Sequence, residues 1–205
     1  MRIGVFGGSF DPVHLGHLIA AECCREQAGL DRVLFVPAAT PPHKQDRALA
    51  APEHRVEMLR LATGGHDAFA VSTVELDRGG VSYTVDTLAT IAAAHPGARL
   101  LLLLGPDALA ALPTWREPRT ILARAGVIAV ERAGLDDVAA RAAEPSLATL
   151  LGADGVGRLV ADRVKMPAIG IRATTLREAM AAGRSIRFLT PRAVERYIGT
   201  HGLYR

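Results

Sequence analysis

A short apolar run, Arg-Ile-Gly-Val-Phe at residues 2–6, stops at a glycine pair, Gly7-Gly8, and passes through Ser9-Phe10-Asp11-Pro12 into a segment of helical spacing. A strand that ends on glycines and turns directly into a helix is the opening move of an α/β sheet. It is also where anions bind, because backbone N–H groups and the helix N-terminus both face the crevice at the strand's carboxyl end. His14 and His17 stand at the start of that helix, three positions apart, so they share a face if both are helical. Each imidazole can donate to a phosphate oxygen, and a pair can stabilise the charge that grows on a transferring phosphoryl group. Gly16 between them removes a side chain where a ligand would approach. Two isolated histidines would read as surface groups on a capped helix; within Gly-Gly-Ser-Phe-Asp-Pro-Val-His-Leu-Gly-His they read as a phosphate site.

The rest of the chain fits one sheet. Residues 2–6, 32–37, 69–74, 99–105, 126–130 and a short stretch within 163–171 read as strands. Helical spacing runs over about 13–28, 53–63, a segment ending before His95, 109–112, 117–124, 135–158, 174–182 and 191–201. Asp11-Pro12 supplies the first helix's start signal, as an Asx cap and a first-turn proline. Residues 77–81 read as a turn. Five consecutive leucines at 100–104 suit a central strand buried on both faces. The pattern predicts an open, mainly parallel sheet with helices on both faces and a small helical C-terminal part from about residue 174. With 205 residues, 49% of them hydrophobic, a single domain is expected.

Composition excludes several classes. The net charge of +3 is too balanced to argue for nucleic acid, and aromatics are only 4%, with no basic run interleaved with rings. The first apolar run is interrupted by Asp11, His14 and His17 and the leucine run is far too short for a bilayer, so a cytoplasmic protein is expected, without membrane association. The only cysteines, Cys23 and Cys24, are adjacent, which rules out a disulfide framework and a usual zinc site; no protein-bound metal is expected.

Further residues carry chemistry. Lys44, after Pro41-Pro42-His43 in an irregular stretch at 38–52, offers a mobile cation suited to a triphosphate. Asp107, following Gly105 at the end of the leucine strand, can accept from a ribose diol or act as a helix N-cap. Thr174 and Arg177 stand three apart at a predicted helix start, where hydroxyl, backbone N–H groups and guanidinium can converge on one anion. Trp115, the only tryptophan, follows Pro113-Thr114 and is either a core or lid aromatic or a stacking face for a cationic ring.

Residues 7–17 resemble the signature of the nucleotidylyltransferase superfamily, a glycine-phenylalanine-x-proline run followed by His-x-Gly-His. The resemblance continues through Pro41-Pro42-His43-Lys44, Arg55-x-x-Met58, Ser82-Tyr83-Thr84-x-Asp86-Thr87-Leu88, Gly105-x-Asp107, Pro113-Thr114-Trp115 and residues 171–177, and so over almost the whole length. This set is similar to that of the bacterial nicotinate-nucleotide adenylyltransferases. The resemblance implies a Rossmann-like fold of nucleotidylyltransferase type. It implies transfer of the adenylyl group of ATP to nicotinate mononucleotide, giving nicotinate adenine dinucleotide and pyrophosphate, with Mg²⁺ carried on ATP. His14, His17, Lys44, Thr174 and Arg177 would surround the phosphates; Gly7, Gly8, Ser9, Phe10, His43, Gly105 and Asp107 would bind ATP. Tyr83, Thr84, Trp115, Arg116 and Arg132 would bind nicotinate mononucleotide. Two departures stand out: Arg172 occupies the place of the family's first serine in its phosphate motif, and Ala133 follows Arg132 where a proline is common.

Alternatives within the reaction class are nicotinamide mononucleotide or pantetheine phosphate as acceptor; the latter is disfavoured by residues 83–88 and Trp115. A non-catalytic nucleotide-binding module is a further alternative, although neither G-x-G-x-x-G nor G-x-x-x-x-G-K-[ST] is present.

Overall fold

A computed structural model describes residues 1–41 and 49–205. In chain order the elements are β1 (Arg2–Gly8), α1 (Leu15–Gln27), β2 (Arg32–Pro37), α2 (Pro52–Thr63), β3 (Phe69–Val71), α3 (Val74–Arg78), α4 (Thr84–Ala94) and β4 (Arg99–Leu104). They continue with α5 (Pro106–Ala111), a 3₁₀ turn (Leu112–Thr114), α6 (Pro118–Arg124), β5 (Ala125–Arg132), α7 (Val138–Ala142), α8 (Pro145–Ala161), β6 (Val164–Met166), α9 (Ala173–Ala181) and α10 (Arg192–Thr200). The strands form a six-stranded sheet in the order β3-β2-β1-β4-β5-β6, with β1–β4, β4–β5 and β5–β6 paired in parallel. This is the doubly wound order, whose direction reverses between β1 and β4. Segments leaving the carboxyl ends of those two strands begin at Ser9 and Gly105.

Contacts group into two compact units. The first holds Met1–Phe6, Ala20–Val33 and Tyr83–Ala168. Its centre is β4, whose five leucines are at most 5% exposed, as a strand covered on both faces requires. Gly4 of β1 pairs with Leu101 in β4 at close quarters: a Cβ there would come within 2.7 Å of Leu30 Cδ1 and 3.3 Å of Leu103 Cδ1, so a larger residue would push those leucine ends aside. Helix α4 packs on α6, where Arg124 Nη1 donates to the Val85 carbonyl at 2.9 Å, and α8 packs on β5. At β6, Gln27 exchanges two hydrogen bonds with the Lys165 backbone, 2.7 and 3.0 Å.

The second unit holds Gly7–Ile19, Leu34–Ser82 and Ile169–Arg205. Val56, Met58 and Leu59 of α2 are buried, Phe35 and Phe69 meet edge to face at 5.2 Å, and α10 packs on α2 with Tyr197 Oη 2.9 Å from His54 Nδ1.

Several boundaries differ from expectation for local reasons. The strand expected over 69–74 ends at Val71, and α3 takes up Val74 and the first two residues of the turn expected at 77–81: Thr73 donates its hydroxyl to Asp77 Oδ2 (2.8 Å) and accepts the Asp77 N–H on its carbonyl, winding the chain until Gly79, at φ 68°, stops it. The last strand is only Val164–Met166, because Pro167 has no N–H to donate to a ladder. The helical stretch at 135–158 divides into α7 and α8 at Pro145, and α8 is broken again at Gly152, which takes the positive-φ, non-helical angles φ 69°, ψ 168°.

Replacing Leu102, 3% exposed in β4, by alanine removes buried apolar volume from a strand covered on both faces, so Leu102→Ala is expected to lower unfolding free energy by about 2–5 kcal/mol in urea titration.

Candidate functional site

Within the second unit, the turn after β1 is built from buried side chains. Phe10 sits at φ 47°, a conformation that folds its ring back under the chain until it is 2% exposed. The ring meets His17 edge on at 5.1 Å and Phe35 at 5.8 Å, so Phe10 supports a histidine from beneath. Gly8 admits this arrangement, since a Cβ there would stand 3.1 Å from the Phe10 ring; a Cβ on Gly7 would meet nothing within 4 Å.

His14 immediately precedes α1, and its carbonyl accepts the His17 N–H at 2.9 Å. The two histidines therefore do not both belong to the helix, yet they meet: their rings stack 3.7 Å apart at 24°. The His14 backbone N–H donates to His17 Nδ1 at 3.2 Å, which makes Nδ1 an acceptor and leaves the His17 proton on Nε2. His14 is 6% exposed, and burial pushes its imidazole down to about 4, so at neutral pH it is an uncharged ring beside its partner. Gly16 has a different reason from the one its sequence position suggests. A Cβ there would come within 3.1 Å of His14 Nδ1 and 3.6 Å of Ile169 Cγ2, so the glycine makes room for the histidine.

Asp11 is not a helix cap. Its carboxylate, 2% exposed, accepts the Ala50 N–H (3.1 Å) and the Tyr204 hydroxyl (2.6 Å) on Oδ1. The Asp11–Pro12 peptide is cis, and Thr190 Oγ1 donates to the Val13 carbonyl at 2.9 Å. Arg177 of α9 donates through Nη1 to the Asp11 carbonyl and through Nη2 to Thr174 Oγ1 at 3.0 Å. The expected Thr174–Arg177 pairing is thus present, tied to the histidine turn through Asp11. Arg172 is exposed and occupies the N-cap of α9 without a side-chain cap bond.

Arg55 completes this group. It is 1% exposed and donates to the carbonyls of Ala50 (3.0 Å), Ser9 (3.1 Å) and Ala38 (2.7 Å). Burial draws its guanidinium below its ordinary range, and the nearby Asp11 carboxylate opposes that shift. Neither Arg55 as a brace nor Tyr204 as the partner of Asp11 is identified by sequence reasoning. Arg55 enters there only through its spacing to Met58, and Tyr204 has no local signal. His43 and Lys44 lie outside the described residues.

The first unit carries the remaining candidates. Gly105 is the N-cap of α5, leaving Asp107 exposed in the first helical turn, so Asp107 is not the cap. A Cβ on Gly105 would meet nothing within 4 Å. Tyr83 caps α4, and Arg116 lies over its ring, 4.8 Å from the centroid, with Nη1 3.6 Å from Asp86. Thr84 opens α4, and Trp115, half-buried, ends the 3₁₀ turn. Arg132 forms a two-pronged pair with Asp136, Nε to Oδ2 at 2.7 Å and Nη2 to Oδ1 at 2.9 Å, which holds the Asp136 carboxyl below its usual range. Among the described residues, no three His, Cys, Asp or Glu side chains converge on a metal position, and no helix is long and apolar enough to cross a membrane.

Two consequences can be measured. Between pH 6.5 and 4 the folded protein binds fewer protons at His14 than the unfolded chain does, so this contribution is full above about 6.5 and is lost as pH falls toward 4. At about 1.4 kcal/mol for each pH unit the loss amounts to about 3 kcal/mol. Urea midpoints are expected to fall across that window in the parent and to flatten in His14→Gln. Tyr204→Phe removes the hydroxyl that serves a buried carboxylate and is expected to cost about 1–3 kcal/mol in the same titration at pH 7.

The family described as cytidylyltransferase-like matches residues 5–179. A protein of Thermus thermophilus named "probable nicotinate-nucleotide adenylyltransferase" is 44% identical over 205 residues, covering 100% of both chains. The protein of the same name from Thermomicrobium roseum is 43% identical over 204 residues, covering 100% of this chain and 92% of its own. Among solved structures, the nicotinic acid mononucleotide adenylyltransferase of Plasmodium falciparum complexed with NaAD superposes with a TM-score of 0.72 at 16% identity, covering 99% of this chain and 97% of that one, and so shares the fold. The chain belongs to the cytidylyltransferase-like family and, within it, to the nicotinate-nucleotide adenylyltransferases.

Proposed function

We infer that this chain transfers the adenylyl group of ATP to nicotinate mononucleotide, releasing pyrophosphate and forming nicotinate adenine dinucleotide. The observation that carries this reading is the stacked His14–His17 pair on the glycine turn after β1, in a chain whose full-length relatives at 43–44% identity bear that enzyme's name. The acceptor's 5′-phosphate is ionised at neutral pH, so its oxygen attacks the α-phosphorus in line without a strong base. The α-phosphorus–oxygen bond to pyrophosphate breaks as the new phosphoanhydride forms. Catalysis then consists of positioning and charge stabilisation.

In the second unit, His17 Nε2–H and the neutral His14 donate to phosphate oxygens at no cost of burying a second charge. Thr174, Arg177 and Lys44 supply further donors, and Gly7, Gly8, Ser9 and His43 form the backbone cradle and its flank. Phe10 contributes by holding His17. In the first unit, Asp107 accepts from the ribose diol beside the open face of Gly105. Tyr83, Thr84, Trp115 and Arg116 contact the nicotinate nucleotide. Arg132, already engaged by Asp136, takes part through that pair. A divalent metal accompanies ATP as part of the substrate, in our reading Mg²⁺, and the protein acts in the cytoplasm.

Offered ATP with nicotinate mononucleotide, nicotinamide mononucleotide or pantetheine phosphate in turn, the protein is expected to release pyrophosphate fastest with the first. His17→Ala, checked to be folded by circular dichroism, should lose turnover on the order of a hundredfold. Near-parental turnover in that folded variant would remove the histidine pair from the mechanism.

A further inference from the structure

The first unit encloses a recess at the amino ends of its strands, lined by none of the residues assigned to adenylyl transfer. Its volume, ≈ 620 Å³, is that of a site for a nucleotide-sized molecule. Four arginines line it from four parts of the chain: Arg2 and Arg99 open β1 and β4, Arg158 belongs to α8, and Arg163 precedes β6. One carboxylate, Asp162, shares the wall. Two of the four are engaged within the unit. Arg2 donates to the Ala28 carbonyl at 3.2 and 2.9 Å, and Arg163 pairs with Glu131 at 3.3 Å and donates to the Val160 carbonyl at 2.6 Å. Arg99 and Arg158 are exposed and have no side-chain hydrogen bond or ion pair among the described residues.

With Arg163 balanced by Glu131, three further guanidinium groups face the single lining carboxylate of Asp162, which leaves an excess of positive charge that an anion would neutralise. Guanidinium forks match phosphate oxygens in pairs, so the natural complement is a phosphate or diphosphate group. Behind this rim Leu101, Val127, Ile128 and Leu159 contribute the smaller, apolar part of the wall. That part does nothing for an inorganic ion but offers a shelf to a ring or aliphatic body. Beyond the break at Gly152, the last turns of α8 bring Arg158 to the rim and Leu159 to the shelf on consecutive residues.

We propose that this recess is a second binding site, for an organic phosphate whose phosphate groups are held by Arg99 and Arg158 and whose less polar body rests on Leu101 and Val127. The test is equilibrium dialysis of radiolabelled adenosine 5′-diphosphate against the whole chain and against Arg99→Ser/Arg158→Ser. The variant is expected to bind one equivalent fewer, or that equivalent roughly tenfold or more weakly, with unchanged melting temperature and pyrophosphate release. The difference between the two proteins is what is read, so the result stands whether or not the histidine turn also binds the nucleotide. Equal stoichiometry and affinity in both proteins would overturn the site. Displacement of that equivalent by inorganic pyrophosphate at equal concentration would overturn the role of the apolar shelf. If the serine pair melts early, Arg99→Lys/Arg158→Lys carries the test: weakened binding supports the guanidinium fork, and full affinity refutes it.

Discussion

The second unit depends on a cation placed where cations are rarely found. The Arg55 side chain is almost wholly buried, and its donors are used on three backbone carbonyls, those of Ser9, Ala38 and Ala50. These belong to the turn after β1, the segment after β2 and the approach to α2, which have no regular ladder of their own to satisfy them. A backbone carbonyl left bare in the interior costs more than a made hydrogen bond contributes, so one guanidinium that satisfies three of them holds three segments together. Its charge is balanced nearby by Asp11, which is itself held by Ala50 and Tyr204. The histidine turn is therefore anchored by a polar network of the protein's own side chains and backbone.

That anchoring explains why the two histidines can be stacked so closely. Two charged imidazoles 3.7 Å apart would repel; burial keeps His14 neutral, and the His14 N–H takes up one nitrogen of His17. The turn thus presents donors without accumulating fixed positive charge of its own. Arg177 brings charge from the side, oriented by its bonds to the Asp11 carbonyl and Thr174. An arrangement of this kind offers hydrogen-bond donors and one flanking charge while leaving the resting protein with little internal repulsion.

How far the sequence can be read follows the range of the interactions. The leucine run at 100–104 announces a central buried strand, since burial on both faces leaves its mark in the run itself. The glycine pair, the histidine spacing and the Thr174–Arg177 spacing are also legible, because each depends on residues a few positions apart. Asp11 reads as a cap and is not one: the cap pattern is local, whereas its real partners are at Ala50 and Tyr204. Arg55 leaves no trace beyond its spacing to Met58, because it binds carbonyls, which every residue carries. Gly16 reads as space for a ligand and proves to be space for His14, a distinction only packing reveals.

The turn between β1 and α1 looks like a short local motif, but its fastenings are among the most distant in the chain. Asp11 and Val13 are tied to Arg177, Thr190 and Tyr204, at separations of 166, 177 and 193 residues, and Ser9 to Arg55 at 46. Closing loops of that length must precede any gain from the contacts they allow, so such contacts tend to form late in folding. The stretch most recognisable in the sequence is then among the last to acquire its working shape, and nucleotide binding during refolding would track completion of the unit rather than the early appearance of its helices.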